Sequence, residues 1–418
     1  RWKQDGTFEK SVEQRPKDDA YVFYDGPPFI TGVPHHGTLL SSIVKDAIPR
    51  YQTMKGKRVE RVWGWDCHGL PAENFVEKQL NITDRRQIVA KDGDSAPLDK
   101  DGNELPTISL EKYITKARES MVANSESWES VIDRIGRWVD FKGAYRTMDK
   151  DFMESVWWAF KELYEKGKIY EGEKVLMYDT KFATPVSKNE VTMDNDAYQT
   201  VTDPSVYVKF KLKSEPRAMG DEKGDETKPL YMLAWTTTPW TLPGNTALAV
   251  NPTEQYDEYI LDGERIIVAA GRIVDIAVHF KKDGLEYGKN PELVRCFMGK
   301  ELVGVEYEPL IGEHKGENAH RVWAADYVKT GFEDTGTGIV HIAPAYGEED
   351  FELAKEHDIP CVHTLDDNGY YYPEVAAELY KLMPWIDSSK PLEVWESNKN
   401  IAKGLEKAGV VWKTEYIR

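Results

Sequence analysis

Between Tyr24 and Leu40 the chain reads YDGPPFITGVPHHGTLL, with three prolines, three glycines and two adjacent histidines at one corner. A helix starting near Pro34 aims its free N–H groups out of that corner, an arrangement suited to a phosphate. Pro34 fits a first helical turn, where a missing N–H costs nothing. His35 can donate to phosphate oxygens, and Gly37 removes a side chain where a flat base or ribose could lie against the backbone. The same residues equally make an ordinary helix cap beside a turn. The two histidines are not a metal site, because neighbours in a helix point about 100° apart and cannot share one ion.

Three further stretches carry reactive types. In GWDCHGLPAE, Asp66 can hold a cation such as a substrate ammonium, or can cap the turn before a helix over Leu70–Leu80. Cys67 and His68 are neighbours on a turn, a poor geometry for a nucleophile and its base. In WTTTPWTLPGN a strand puts Thr236 and Thr238 on one face and Thr237 on the other, unless Pro239 twists it. Taken alone, that run is also what ordinary Thr-rich strand packing looks like. The stretch GTGIVHIAPAYGEED starts with small residues that let a nucleotide lie on the backbone, then supplies His341 and ends in Glu348, Glu349 and Asp350. Glu348 and Glu349 read as a solvated helix start.

The elements that must position these groups follow from periodicity. Tyr21–Tyr24 reads as a short buried strand. Leu39, Leu40, Ile43, Val44, Ala47, Ile48, Tyr51 and Met54 recur at helical spacing on one apolar face. Pro49 should kink that helix or end it early, and Gly56 should stop it. Arg58–Trp63 reads as a second strand, so strand, helix and strand make a parallel βαβ unit. Residues 82–108 are polar and rich in Asp, Gly and Pro, a surface excursion. Helices follow, and from about Val201 the pattern turns into short β-rich runs. The expected architecture is α/β: a partial Rossmann-type parallel-sheet domain over 1–195, an inserted mixed β-rich domain over 196–392, and a return segment over 393–418. Ligands in such open sheets sit outside the carboxyl ends of the strands, where both corners fall.

The totals bound the function. The 418 residues suffice for two or three domains. Lys and Arg number 54 against 72 Asp and Glu, a net charge of −18 that opposes non-specific nucleic-acid binding. Three widely spaced cysteines give neither a disulfide framework nor a metal motif and suit a reducing, cytoplasmic setting. No apolar run is long enough to span a bilayer, and no membrane partner is expected.

Together and in order, these motifs resemble the class I aminoacyl-tRNA synthetases, and among them the isoleucyl-tRNA synthetases. YDGPPFITGVPHHG is similar to the family's ATP corner and GWDCHGLPAE to its amino-acid corner. IGRWVDF, FMESVWWAFKELYEKGKIYEG and YDTKFATPVSKNE are similar to the helical segment leading into the editing insertion. WTTTPWTLPGN and GTGIVHIAPAYGEEDF are similar to the two halves of the editing pocket. Relatives acting on valine or leucine carry an Arg after their Thr run, in a TTRP-like pattern, where this chain has Thr236-Thr237-Thr238-Pro239, which fits the isoleucine type. The family's His-x-Gly-His tetrapeptide stands here as His35-His36-Gly37-Thr38. A hydroxyl at the last place can hydrogen-bond but cannot carry positive charge.

The resemblance implies attack of the isoleucine carboxylate on the α-phosphorus of ATP, then transfer to tRNA(Ile). The carboxylate is already ionised near pH 7, so the work is placement and charge stabilisation. It implies that His35, Gly37 and Thr38 bind ATP, that Gly26 and Pro27 line the amino-acid pocket, and that Asp66 holds the ammonium. Mg²⁺ accompanies ATP, and no zinc is expected in this chain. Valine lacks one methylene of isoleucine, a difference worth about 1–3 kcal/mol for which these synthetases are the standing example. A second pocket therefore hydrolyses valyl-tRNA(Ile). There the resemblance implies that Asp350 takes the misplaced ammonium and His341 walls out isoleucine. Thr236, Thr237, Thr238, Thr241 and Asn245 position the ester and an attacking water.

No Lys-Met-Ser-Lys-Ser-like loop, anticodon-binding helical domain or cysteine-rich zinc segment occurs between Arg1 and Arg418. The expectation is the front part of a longer, monomeric synthetase that edits better than it activates. Alternatives are a stand-alone aminoacyl-tRNA editing hydrolase, a nucleotidylyltransferase sharing the first corner, and a non-catalytic tRNA-binding module.

Overall fold

In a computed structural model the chain forms two compact units, Arg1–Gly172 and Glu173–Arg418. The structure describes all residues except 30–31, 100–101, 123–124, 189–190, 192–197, 217–226, 279–280, 283–284, 287–290, 332–333 and 418. The boundary expected between residues 195 and 196 lies outside the described residues.

The first unit is built on a two-stranded parallel sheet, β1 (Val62–Trp65) against β2 (Asp140–Arg146). Alternation along β1 sends Trp63 and Trp65 to one face, where they pack with Trp128, Ile132 and Val76. The other face at Gly64 is covered by the Tyr145 ring, and a Cβ at Gly64 would meet that ring at 2.3 Å. The helix after the first corner, α1 (His36–Met54), runs 19 residues straight through Pro49, which is buried. It therefore does not end early. It stops where expected, at Gly56, with φ +99. Tyr21–Tyr24, read above as a buried strand, forms no ladder. Val22 and Tyr24 are exposed, and isolated bridges join Ala20 to Arg58 and Phe29 to Asp66. With no layer over those side chains, apolar content alone does not make a buried strand. α2 (Leu70–Leu80) follows Gly69, whose φ is +96. The apolar face of α1, from Leu40 to Met54, is largely exposed, as are Trp157, Trp158 and Phe160 on α3 (Lys150–Glu165).

The second unit holds two sheets. The larger has the strand order Glu292–Met298, Gln255–Leu261, Glu264–Ala269, Leu230–Thr236, Asp203–Lys211, Val411–Ile417. Its pairs are antiparallel except Glu264–Ala269 with Leu230–Thr236. The smaller places β4 (Ala247–Val250) between Arg321–Ala324, which is parallel to it, and β5 (Ile339–Ile342), which is antiparallel. In β3 (Leu230–Thr236), Leu230, Met232 and Ala234 face a core shared with Leu248, Val250 and Ile339 of the smaller sheet. Strand parity therefore turns Thr236 and His341 toward the same space between the sheets. Residues 393–418 were expected to return to the first domain, yet they join the second unit. α4 (Val394–Lys407) buries Ile401, Ala402 and Leu405 in the shared core, and Val411–Ile417 pairs with Asp203–Lys211. The amphipathic face of α4 explains this placement.

Candidate functional site

At the first corner, His35 is the extended residue before α1, and its carbonyl accepts the Leu39 N–H at 3.0 Å. Its imidazole makes no capping hydrogen bond and lies over Gly37. A Cβ added at Gly37 would stand 3.1 Å from the His35 ring, so the glycine makes room for that imidazole. His35, His36 and Gly37 are exposed and Thr38 is half-buried. The corner is anchored by the Trp128 indole, which donates to the Gly32 carbonyl at 2.7 Å. Asp25 pairs with Lys45 at 2.6 Å and with Arg137, and the Gly26 carbonyl accepts from Lys45 at 3.0 Å.

Asp66 sits beside this corner, its N–H donating to the Pro28 carbonyl at 2.9 Å. Pro27 and Gly26 are thus held next to the amino-acid corner. One Asp66 oxygen accepts the His68 N–H at 3.2 Å, so the turn-capping role is present as well. The Tyr145 phenol is pushed up by burial first, then by the charges of Asp25 and Asp66, which places both carboxylates near it. Lys45 and Tyr145, which lie outside the quoted motifs, are brought to this corner by the fold. Among the described residues no three His, Cys, Asp or Glu gather as a metal site, and no helix is long and apolar enough to cross a membrane.

In the second unit the structure gathers most of the expected residues into one hydrogen-bonded cluster. The strand ends at Thr236 and bends at Thr237; Thr238 N–H donates to Thr236 Oγ1 at 3.1 Å, and the two hydroxyls lie 3.2 Å apart. The chain then turns through a short 3₁₀ helix, Pro239–Gly244, which brings Thr241 back under Thr238. Thr241 Oγ1 donates to the Thr238 carbonyl at 2.8 Å and stands 2.8 Å from His341 Nε2. Asn245 Nδ2 lies 3.3 Å from His341 Nδ1, and Asn245 Oδ1 accepts from the Tyr307 hydroxyl at 2.7 Å. The turn is clamped by the Tyr371 hydroxyl, which donates to the Trp240 carbonyl at 2.8 Å. Asn398 accepts the Trp240 N–H at 3.2 Å. Thr236, Thr241, Asn245 and His341 are all buried. Burial lowers the His341 pKa to about 4, so the ring is neutral at pH 7.

Asp350 stands in the first turn of the helix Glu348–His357 and reaches back past the end of β5, where Ala343 N–H donates to its Oδ2 at 2.9 Å. Burial raises its pKa to about 6, the Ala343 hydrogen bond partly offsets this, and Glu349 adds to the rise. Among the described residues no Lys, Arg or His forms an ion pair with it. Glu348 and Glu349 are exposed. The glycines before His341 are required by packing and by backbone conformation. At Gly336 and Gly338 the φ values are +90 and +75, and an added Cβ would stand 3.0 Å from Trp235 and 2.4 Å from Ala269.

One unit carries a corner of His35, Gly37 and Asp66, and the β-rich other carries a hydrogen-bonded cluster of threonines, Asn245 and His341. The chain belongs to the class I tRNA synthetases of the isoleucine, leucine, methionine and valine group, whose family model matches residues 1–219. Among curated relatives, the isoleucine–tRNA ligase of Nocardia farcinica is 43% identical over all 418 residues, which cover 36% of that protein. Isoleucine–tRNA ligase 2 of Pseudomonas fluorescens is 39% identical over 100% of this chain and 35% of its own length. The chain thus spans about a third of the length of these relatives. Among solved structures, the P. falciparum cytosolic leucyl-tRNA synthetase editing domain is 13% identical, with a TM-score of 0.36. It covers 52% of this chain and 100% of that one.

Proposed function

We propose that the second unit hydrolyses valyl-tRNA(Ile), and that the first unit contributes to forming isoleucyl-adenylate from isoleucine and ATP for transfer to tRNA(Ile). The observation that carries the hydrolytic assignment is Asp350, a half-buried carboxylate held by one backbone N–H and with no cationic partner among the described residues. An ammonium on an aminoacyl ester supplies the charge such a group needs, and its arrival stabilises the ionised form.

Hydrolysis needs no nucleophile from the protein. Water adds to the ester carbonyl, the bond to the terminal ribose oxygen breaks, and that oxygen leaves with a proton, giving valine and free tRNA(Ile). The Thr236, Thr237 and Thr238 hydroxyls orient the ester and the water. His341, neutral and fixed between Thr241 and Asn245, forms a wall that isoleucine's extra methylene meets. At the first corner, His35, Gly37 and Thr38 at the start of α1 would hold ATP phosphates, with Mg²⁺ arriving on them. Gly26, Pro27 and Asp66 would hold isoleucine.

The test is deacylation of valyl-tRNA(Ile) against isoleucyl-tRNA(Ile) by this chain, with isoleucine-dependent pyrophosphate exchange measured in parallel. The expected result is selective release of valine that Asp350→Asn abolishes and His35→Ala leaves alone. Equal release of both amino acids, or release indifferent to Asp350, overturns the hydrolytic assignment.

A further inference from the structure

We propose that Tyr307 is a positioning residue of this pocket: acting through the Asn245 amide, it sets which ring nitrogen of His341 carries the proton. The inference rests on the hydrolytic assignment for its functional consequence, while the protonation itself follows from hydrogen-bond polarity.

The polarity starts at a carbonyl. Asn245 Nδ2 lies 2.9 Å from the Ala247 carbonyl and 3.5 Å from the Ile342 carbonyl, groups that can only accept. The amide nitrogen must therefore face them, and the same nitrogen faces His341 Nδ1 at 3.3 Å. A nitrogen opposite an NH₂ group is an acceptor, so Nδ1 carries the lone pair. The neutral ring then has its proton on Nε2, which donates to Thr241 Oγ1 at 2.8 Å. Thr241 in turn gives its own proton to the Thr238 carbonyl at 2.8 Å. Each bond dictates the direction of the next, from Ala247 to the threonine turn.

Tyr307 closes the other end. Its hydroxyl donates to Asn245 Oδ1 at 2.7 Å, the one amide atom the carbonyls leave over. Without that donor the buried Oδ1 goes unsatisfied, and only the Ala247 and Ile342 carbonyls still oppose the turned-over amide, which would present oxygen to Nδ1 and draw the ring proton there. Tyr307 is itself fixed. It is fully buried, its ring stands edge-on to Phe210 at 5.3 Å and to His320 at 5.6 Å, and its N–H donates to the His320 carbonyl at 3.0 Å. Burial holds the phenol protonated well above its ordinary range, so it stays a donor.

The test uses the full chain with ¹⁵N-labelled histidine, the His341 signals being assigned by their loss in His341→Gln. In the parent protein His341 should be neutral with the proton on Nε2 alone. Asn245→Asp, which keeps an acceptor for Tyr307 but offers Nδ1 only oxygen, should move the proton to Nδ1. Tyr307→Phe should give a mixture of both forms, with kcat for valyl-tRNA(Ile) hydrolysis about three- to tenfold lower and KM unchanged. A proton on Nδ1 in the parent protein, or an imidazole indifferent to Tyr307→Phe, overturns the proposal. If Tyr307→Phe does not fold, the parent protein and Asn245→Asp decide in the same terms. The ring signals alone decide the proposal. Absent hydrolysis with the ring responding as stated overturns the hydrolytic assignment and leaves Tyr307 as the residue that sets the tautomer.

Discussion

Asp350 Oδ2 lies 2.9 Å from the backbone nitrogen of Ala343, two residues beyond His341 on the same run of chain. That bond links the helix carrying the carboxylate to the strand carrying the imidazole. A single hydrogen bond to backbone is too little to offset the desolvation of this half-buried charge, and the raised pKa of Asp350 is the result. The His341 imidazole is pushed the other way, toward the neutral form.

Asp350→Asn should therefore stabilise the fold at neutral pH while abolishing hydrolysis. A carboxyl raised from 3.8 to about 6 contributes stability that is fully present below 3.8 and lost as pH rises through 6. At pH 7 the ionised group is a liability of up to roughly 3 kcal/mol, which the amide removes while still accepting from Ala343. Urea unfolding at pH 7 should show the variant more stable by about 1–3 kcal/mol, with the gain shrinking toward pH 4. A less stable variant at pH 7 would mean that Asp350 has a cationic partner.

The fold should weaken in mild acid through His341 and His320. Burial lowers both to about 4, and His314 adds to the effect at His320. Their stabilising effect is present above the ordinary value of 6.5 and is lost as pH falls toward 4, because the unfolded chain takes up protons first. Between pH 6.5 and pH 5 each histidine should remove about 2 kcal/mol. Asp350 works in the opposite sense over part of that range, so Asp350→Asn is the clean background. His320 has a φ of +54, which Asn tolerates, and His320→Asn should remove about half of the acid sensitivity. Urea midpoints across pH 5–7 that do not respond to His320→Asn would refute this.

The chemistry was more legible in the sequence than the architecture around it. Thr236 and Thr238 were expected on one face of a strand; the strand ends at Thr236, and a bend at Thr237 brings the two hydroxyls within 3.2 Å instead. Short motifs announce such groups because the backbone that presents them is local. Tyr307 was invisible, since nothing in its neighbours records that Asn245 lies across the core. The same holds for residues 393–418: their helix and strand were legible, but their partner is fixed by the Asn398 contact with Trp240, 158 residues away. Tyr21–Tyr24 failed as a strand because apolar side chains report burial only when another layer covers them.

The larger sheet should depend on one carboxylate. Glu258 is fully buried and accepts from Arg265 Nε at 2.7 Å and from Arg295 Nε at 2.7 Å, while Glu215 caps both guanidiniums from outside. Removing it leaves two buried cations sharing one partly exposed partner. Glu258→Ala should destabilise by about 3–5 kcal/mol, the typical penalty for breaking a buried pair from one side. Chemical denaturation reads this directly, and a loss under about 1 kcal/mol would show that water reaches the guanidiniums.

The first corner makes a prediction that turns on charge. The start of α1 presents free N–H groups, the His35 ring packs over Gly37, and Thr38 supplies only a hydroxyl. Thr38→His adds an imidazole that is disfavoured as a cation at a helix start until an anion binds there. ATP should therefore raise that imidazole's pKa. Near pH 6 and at low salt the variant should bind ATP about three- to tenfold more tightly, a gain that added salt erodes. Gly37→Ala should act the other way, because its Cβ would stand 3.1 Å from the His35 ring and push it aside. Calorimetric titration with ATP distinguishes the outcomes. If neither substitution alters binding, the phosphates lie elsewhere and His35 is only a residue beside a turn.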